Sequence, residues 1–103
     1  MKNMEEEIIR VRTPAKGEVL GLAVSLLGGG RLEIKCDDNL TRICRIPGRM
    51  RSKIWIRVGD LVLVQLWEVQ AEERGDIIWK YSRAQAIWLE KKGFLKNVSL
   101  DSV

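Results

Sequence analysis

Five short runs of strand-forming residues followed by one helical segment predict a mainly β protein, a five-stranded Greek-key barrel with a short C-terminal α-helix packed on it. Three observations lead there. Apolar residues alternate with polar ones, or run unbroken for a few positions, at five places between Glu18 and Tyr81. Glycine, proline, asparagine and aspartate fall between those runs, where turns need them. Beyond Tyr81 the apolar spacing lengthens from two residues to three and four, the spacing of one helix face. The 103 residues suffice for one domain with one core.

Residues 1–16 mix charges of both signs around Pro14 and are expected to form a mobile N-terminal tail. The barrel is expected over residues 17–82. Its first strand is Glu18–Leu27, an apolar run with Gly21 inside it, which suggests a bend or bulge at the glycine. Gly28, Gly29 and Gly30 break the chain. Arg31–Asp37 alternates cleanly, with Leu32, Ile34 and Cys36 on one face and Arg31, Glu33 and Lys35 on the other. Asp37, Asp38 and Asn39 supply a turn. Leu40–Ile46 is the third strand. Ile43 and Cys44 are adjacent in it, so alternation assigns no face to Arg42 or Arg45. Pro47 and Gly48 end it, and residues 49–53 form a basic loop. Ile54–Val58 is a short extended piece, closed by a turn at Gly59 and Asp60. Leu61–Val69 is apolar on both faces, as a central strand is. A charged loop over 70–76 leads to the fifth strand, Ile77–Tyr81.

Ser82 and Gln85 match a capping box, in which the serine hydroxyl bonds a free helix N–H and the glutamine reaches back. The helix is expected over 83–94, laying Ile87 and Trp88 on the barrel, with Gly93 as its C-cap. Residues 95–103 form a short tail. Trp67, Trp79 and Trp88 are expected in the core or against the helix. Five short strands, glycine-rich bends and a basic face describe an OB-fold, with a small SH3-like barrel as the structural alternative.

The net charge of +4 is unevenly distributed. Arg31–Arg57 holds eight cations and three anions, whereas residues 59–82 carry −3. Lysine and arginine clustered on one part of a fold suggest a polyanionic partner, nucleic acid first. Catalysis lacks its groups. The chain has no histidine, so a serine, cysteine or lysine nucleophile lacks its usual partner, and no enzyme is expected. Cys36 and Cys44 stand outside any C-x-x-C pattern and provide no zinc ligand set. They read as reduced thiols packed as small hydrophobes. Gly28–Arg31 looks superficially like a phosphate loop, but the Gly-Lys-Ser/Thr ending is missing and a strand follows. No metal or cofactor is expected. The carboxylate pairs Asp37–Asp38 and Glu72–Glu73 fall in predicted turns and read as solvated. No apolar run approaches 18 residues and the N-terminus does not read as a signal peptide, so a soluble, cytoplasmic monomer without membrane contact is expected.

The most informative stretch is Thr41 to Val64. Arg45-Ile46-Pro47-Gly48-Arg49-Met50-Arg51, then Trp55-Ile56, then Gly59-Asp60 resembles the signature of the archaeal translation initiation factor 1A family. Its members are S1-like OB-folds related to eukaryotic factor 1A and bacterial initiation factor 1, and Gly48–Arg51 resembles the bacterial factor as well. Gly17–Gly21 with the triglycine looks like the family's first strand, and Asp76–Tyr81 like its last. The resemblance covers roughly residues 17–94. It implies a factor that binds the A (decoding) site of the small ribosomal subunit through 16S rRNA. It also implies assembly of the initiation complex with initiator tRNA, factor 1, factor 2 and factor 5B.

The candidate RNA-binding residues are Arg42, Arg45, Gly48, Arg49, Met50, Arg51, Lys53, Trp55 and Arg57, with Arg31, Lys35 and Lys80 in a second tier. Arginine offers phosphate a planar fork of donors. Gly48 lets the backbone turn and RNA approach. Trp55 suits base stacking, worth about 1–3 kcal/mol per base. Met50 reads equally as a wedge or as a buried anchor. The eukaryotic relatives carry a long acidic C-terminal extension not seen here, which leaves Val98 and Leu100 to make any factor 5B contact through the tail. Two other readings stand beside this one. A generic single-stranded RNA binder of the cold-shock or S1 type wants more strand-face aromatics than one tyrosine and one phenylalanine supply. A protein-interaction barrel would turn the same charges toward a protein partner.

Overall fold

The chain orders as β1 (Glu18–Gly28), β2 (Arg31–Cys36), β3 (Thr41–Arg45), α1 (Gly48–Arg51), β4 (Leu61–Leu66), β5 (Arg74–Lys80) and α2 (Arg83–Lys91). This computed structural model describes residues 11–51 and 53–101, so the first ten residues of the expected N-terminal tail lie outside it. The strands close into a barrel in the order β1-β2-β3-β5-β4. All neighbours are antiparallel except β3 and β5, which run parallel. That is the Greek-key closure of the OB-fold, as the alternation predicts, and it removes the exposed sheet edges an open sheet would carry.

β1 is long because it serves two partners. Its first half pairs with β4 from Glu18↔Gln65 to Leu22↔Leu61, and it stays paired to β2 from Gly21↔Cys36 to Gly28↔Arg31. The strand curls to do this. The curl comes from extra residues at Val24 and Leu27, where the β1–β2 register shifts, and not from a bulge at Gly21 as expected. Gly21 has another use. A Cβ there would run into the Ile34 side chain and lie 3.1 Å from the Lys35 carbonyl, so the glycine lets β2 cross closely. Gly75 does the same where β5 meets β4 and Cys44 of β3.

The two faces of β1 and β4 bury different cores. Ala23, Val62 and Val64 point into the barrel with Leu32, Ile34, Cys36, Cys44, Ile56 and Ile77. Leu20, Leu22, Leu61 and Leu63 point out and are covered by Ala86 and Leu89 of α2, Tyr81, Val98 and Leu100. The doubly apolar β4 sequence is therefore that of a wall with a filled inside and a helix outside. Burial pushes the Cys44 thiol up to about 12 and raises Cys36 too, so both remain protonated hydrophobes.

Ser82 caps α2 by the expected box: its hydroxyl accepts from Gln85 N, and the Gln85 side chain accepts from Ser82 N. Gly93, at φ +83°, ends it, with Gly93 N bonding the Glu90 carbonyl and Phe94 N the Leu89 carbonyl. This is a Schellman motif. The helix is rotated from the predicted face. Ala86 and Leu89 are buried, whereas Ile87 and Trp88 flank the contact half-buried, and Trp88 stacks on Phe94.

The C-terminal segment is docked on the barrel. The Asp37 carboxylate accepts from the backbone N–H groups of Lys96, Asn97 and Val98, and the Asn97 amide donates to the Asp37 carbonyl. Val98 and Leu100 are thereby set into the core, not left for an outside partner. Asp37 and Asp38 are thus both engaged, although Asp38 keeps the exposure expected of a turn. One holds the C-terminal segment and the other holds Arg42.

Candidate nucleic-acid interface

Between β3 and β4 the chain folds into the one-turn α1 where a basic loop was expected. Met50 N bonds the Pro47 carbonyl at 2.8 Å, and Lys53 N and Ile54 N both return to the Met50 carbonyl. The turn half-buries Met50 and Ile54 and leaves Gly48, Arg49, Arg51 and Lys53 exposed. Met50 is an anchor with one side open. Arg51 folds back so that its Nε donates to the Ile46 carbonyl at 3.0 Å. Its guanidinium lies against Gly30, where a Cβ would collide with it. The triglycine turn of β1–β2 thus makes room for an arginine.

Beside α1 an open cleft of about 690 Å³ is lined by Arg12, Arg49, Met50, Lys53, Ile54, Trp55, Ile78, Trp79 and Lys80. Its lining combines five apolar side chains with four cations. Trp55 is 75% exposed and Trp79 is 40% exposed. Trp79 was expected in the core or against the helix, and a bulge brings it to the surface instead. Leu63 pairs with Trp79 and Val64 with Ile77, so Ile78 is an extra residue on β5. The insertion turns Ile78 against the outer core and Trp79 to the surface. Lys80 is engaged: its ammonium donates to the Trp55 carbonyl and pairs with Asp60 at 3.4 Å. It pins the chain that carries Trp55. Asp60 also accepts from Arg57 N at 2.8 Å, which leaves the Arg57 side chain exposed at the end of that connection.

A second basic surface lies on the outer face of β2 and β3. Arg31, Lys35 and Arg45 are exposed there, and Arg31 and Arg45 are register partners. Arg45 sits over the Trp67 ring, 5.2 Å from its centroid, and its Nε donates to Asp76 Oδ1 at 2.7 Å. Trp67 Nε1 donates to the same oxygen at 2.9 Å. Partial burial pushes the Asp76 carboxyl up, but the hydrogen bonds from Arg45 and Trp67 outweigh it and hold the group below the usual carboxylate range.

Arg42 is the one candidate that the fold withdraws. It points inward from β3 with 2% exposure. Its Nε donates to the Ala71 carbonyl and its two terminal nitrogens form a fork on Asp38 at 2.9 and 2.8 Å. It ties the β4–β5 loop to the β2–β3 turn and offers RNA no surface. The remaining candidates are reachable, in two groups joined by α1. Arg12 and Trp79 join them, and sequence reading missed both. Arg12 lay in a stretch without a usable period, and nothing local marks the Ile78 bulge.

Among the described residues no cluster of three or more histidine, cysteine or acidic side chains could hold a metal ion, and no helix is long and apolar enough to cross a membrane.

Comparison with known proteins agrees with this architecture. The family model for translation initiation factor 1A / IF-1 matches residues 8–101. Translation initiation factor 1A of Methanothermobacter thermautotrophicus is 50% identical over 91 residues, covering 88% of this chain and 92% of that protein. Translation initiation factor 1A 1 of Methanosarcina acetivorans is 52% identical over 95 residues, covering 90% and 85%. Among solved structures, the solution structure of translation initiation factor 1 from the Wolbachia endosymbiont of Brugia malayi superposes with a TM-score of 0.50 at 35% identity. That match covers 64% of this chain and 78% of the other.

Proposed function

Because the chain belongs to the translation initiation factor 1A / IF-1 family, we propose that it serves translation initiation by binding the A (decoding) site of the small ribosomal subunit through 16S rRNA. The role in initiation, without enzymatic chemistry, follows from the family. The observation that supports the RNA contact is the cleft beside α1, where Arg49, Lys53 and Arg12 surround the exposed rings of Trp55 and Trp79. Cations in the lining suit phosphates and flat rings suit unstacked bases. Arg51, Arg57, Arg31, Lys35 and Arg45 extend the cationic surface beyond the cleft. Bound there, the protein shares the subunit with factor 1, factor 2 carrying initiator tRNA, and factor 5B. Val98 and Leu100 do not contribute to a factor 5B contact while the C-terminal segment stays docked.

The test is competition on purified archaeal small subunits. Binding should resist an excess of single-stranded oligonucleotide, and Arg49→Glu with Arg51→Glu should abolish most of it. Wild-type affinity in that double variant refutes the interface. Equal affinity for the oligonucleotide and the subunit replaces the decoding-site reading with that of a generic single-strand binder.

A further inference from the structure

We propose that Asp76 and Trp67 are positioning residues that hold Arg45 in a fixed orientation for an RNA phosphate. This rests on the RNA-binding reading above and extends it to two residues that carry no positive charge.

The geometry is that of a preset donor. Asp76 takes Arg45 along one edge of its guanidinium, Nε to Oδ1 at 2.7 Å and Nη2 to Oδ2 at 3.4 Å. Trp67 orients the carboxylate through its indole N–H and supports the flat guanidinium on its ring. A guanidinium has five N–H donors. Asp76 uses two, and no other hydrogen bond reaches the group among the described residues, although its side chain is 55% exposed. Arg45 is therefore held in place by two partners without being saturated. Arg31 stands opposite it in register, and Arg74 lines the same hollow around Trp67. A flexible arginine loses rotamer freedom when it grips a phosphate, and one already fixed loses less.

The alternative is simple masking, in which Asp76 neutralises Arg45 and competes with phosphate. The two accounts differ in sign. Asp76→Asn removes a negative charge, so masking predicts tighter binding to small subunits. Positioning predicts weaker binding, by roughly 3- to 10-fold. The effect must also vanish in an Arg45→Ala background, because Asp76 acts through that residue. Trp67→Phe, which keeps a ring but removes the N–H, should weaken binding in the same direction, and it carries the test should Asp76→Asn melt below the assay temperature. Unchanged or tighter binding by Asp76→Asn overturns the proposal, as does an equal loss with and without Arg45. The Arg49→Glu, Arg51→Glu variant run alongside separates the two readings. If it binds like wild type, the RNA interface itself is wrong. If it fails to bind while Asp76→Asn binds normally, only the positioning role is wrong.

Discussion

Arg42 and Arg45 lie three positions apart on one strand, carry the same charge and have opposite fates. Arg42 faces Asp38 inside the fold, and Arg45 faces solvent over Trp67. Composition treats them alike, and the adjacent Ile43 and Cys44 hid the alternation that separates them. Arg42 belongs to stability. Its hydrogen bonds hold the Asp38 carboxyl below the usual carboxylate range. A depressed carboxylate contributes stability that is present above its unfolded pKa of about 3.9 and is lost as pH falls through the lower folded value. Asp38→Asn should therefore cost about 1 kcal/mol at neutral pH, a modest figure because solvent screens this exposed carboxylate. The gap from wild type should close as the solution is acidified below the carboxylate range. Denaturant unfolding at neutral and acid pH checks both the size and the closing.

At the scale of elements, the strands with clean alternation came out as expected, and the departures have local causes. The β2 pattern placed Leu32, Ile34 and Cys36 inside, and all three are buried. β5 could not be read so simply, because one inserted residue reverses the facing of everything after it. Bulges leave no signature in a single sequence when the inserted residue is as strand-prone as Ile78. α2 had a legible start and stop, since caps are local chemistry. Its rotation was not legible, because α2 is apolar on more than one side and β1 and β4 decide which side is covered. The Ile78 bulge makes a prediction at this scale. It exposes Trp79 beside Trp55, so Trp55→Leu and Trp79→Leu should each weaken small-subunit binding, by up to the roughly 1–3 kcal/mol of a base–aromatic stack. The melting temperature should move little, as leucine keeps an apolar contact at both positions. A variant that melts normally and binds normally removes its ring from the interface.

For the whole molecule, folding brings the basic stretch against the acidic flank where Asp76 pairs with Arg45, and it withdraws Arg42. The exposed cations on α1, on the β2–β3 face and in the cleft predict salt-sensitive binding. With about five phosphates neutralised, the logarithm of the affinity for small subunits should fall against the logarithm of salt with a slope between about −3 and −5. Replacing Arg49 by alanine should make that slope shallower by about one. A flat salt response contradicts a phosphate interface of this size. By itself the sequence determined the barrel class, the family, the capped C-terminal helix and the basic character of the α1 region. Each of these is written in residues close together along the chain, as an alternation, a cap, a turn or a cluster of charge. Only the tertiary structure decided that Arg42 is internal, that Trp79 is external, that Asp37 fastens the C-terminal segment, and that Asp76 and Trp67 meet at Arg45. Those outcomes join residues up to 61 positions apart, from Asp37 to Val98. They depend on strand register and barrel closure, which follow from how all the strands pack together and from no local run of sequence.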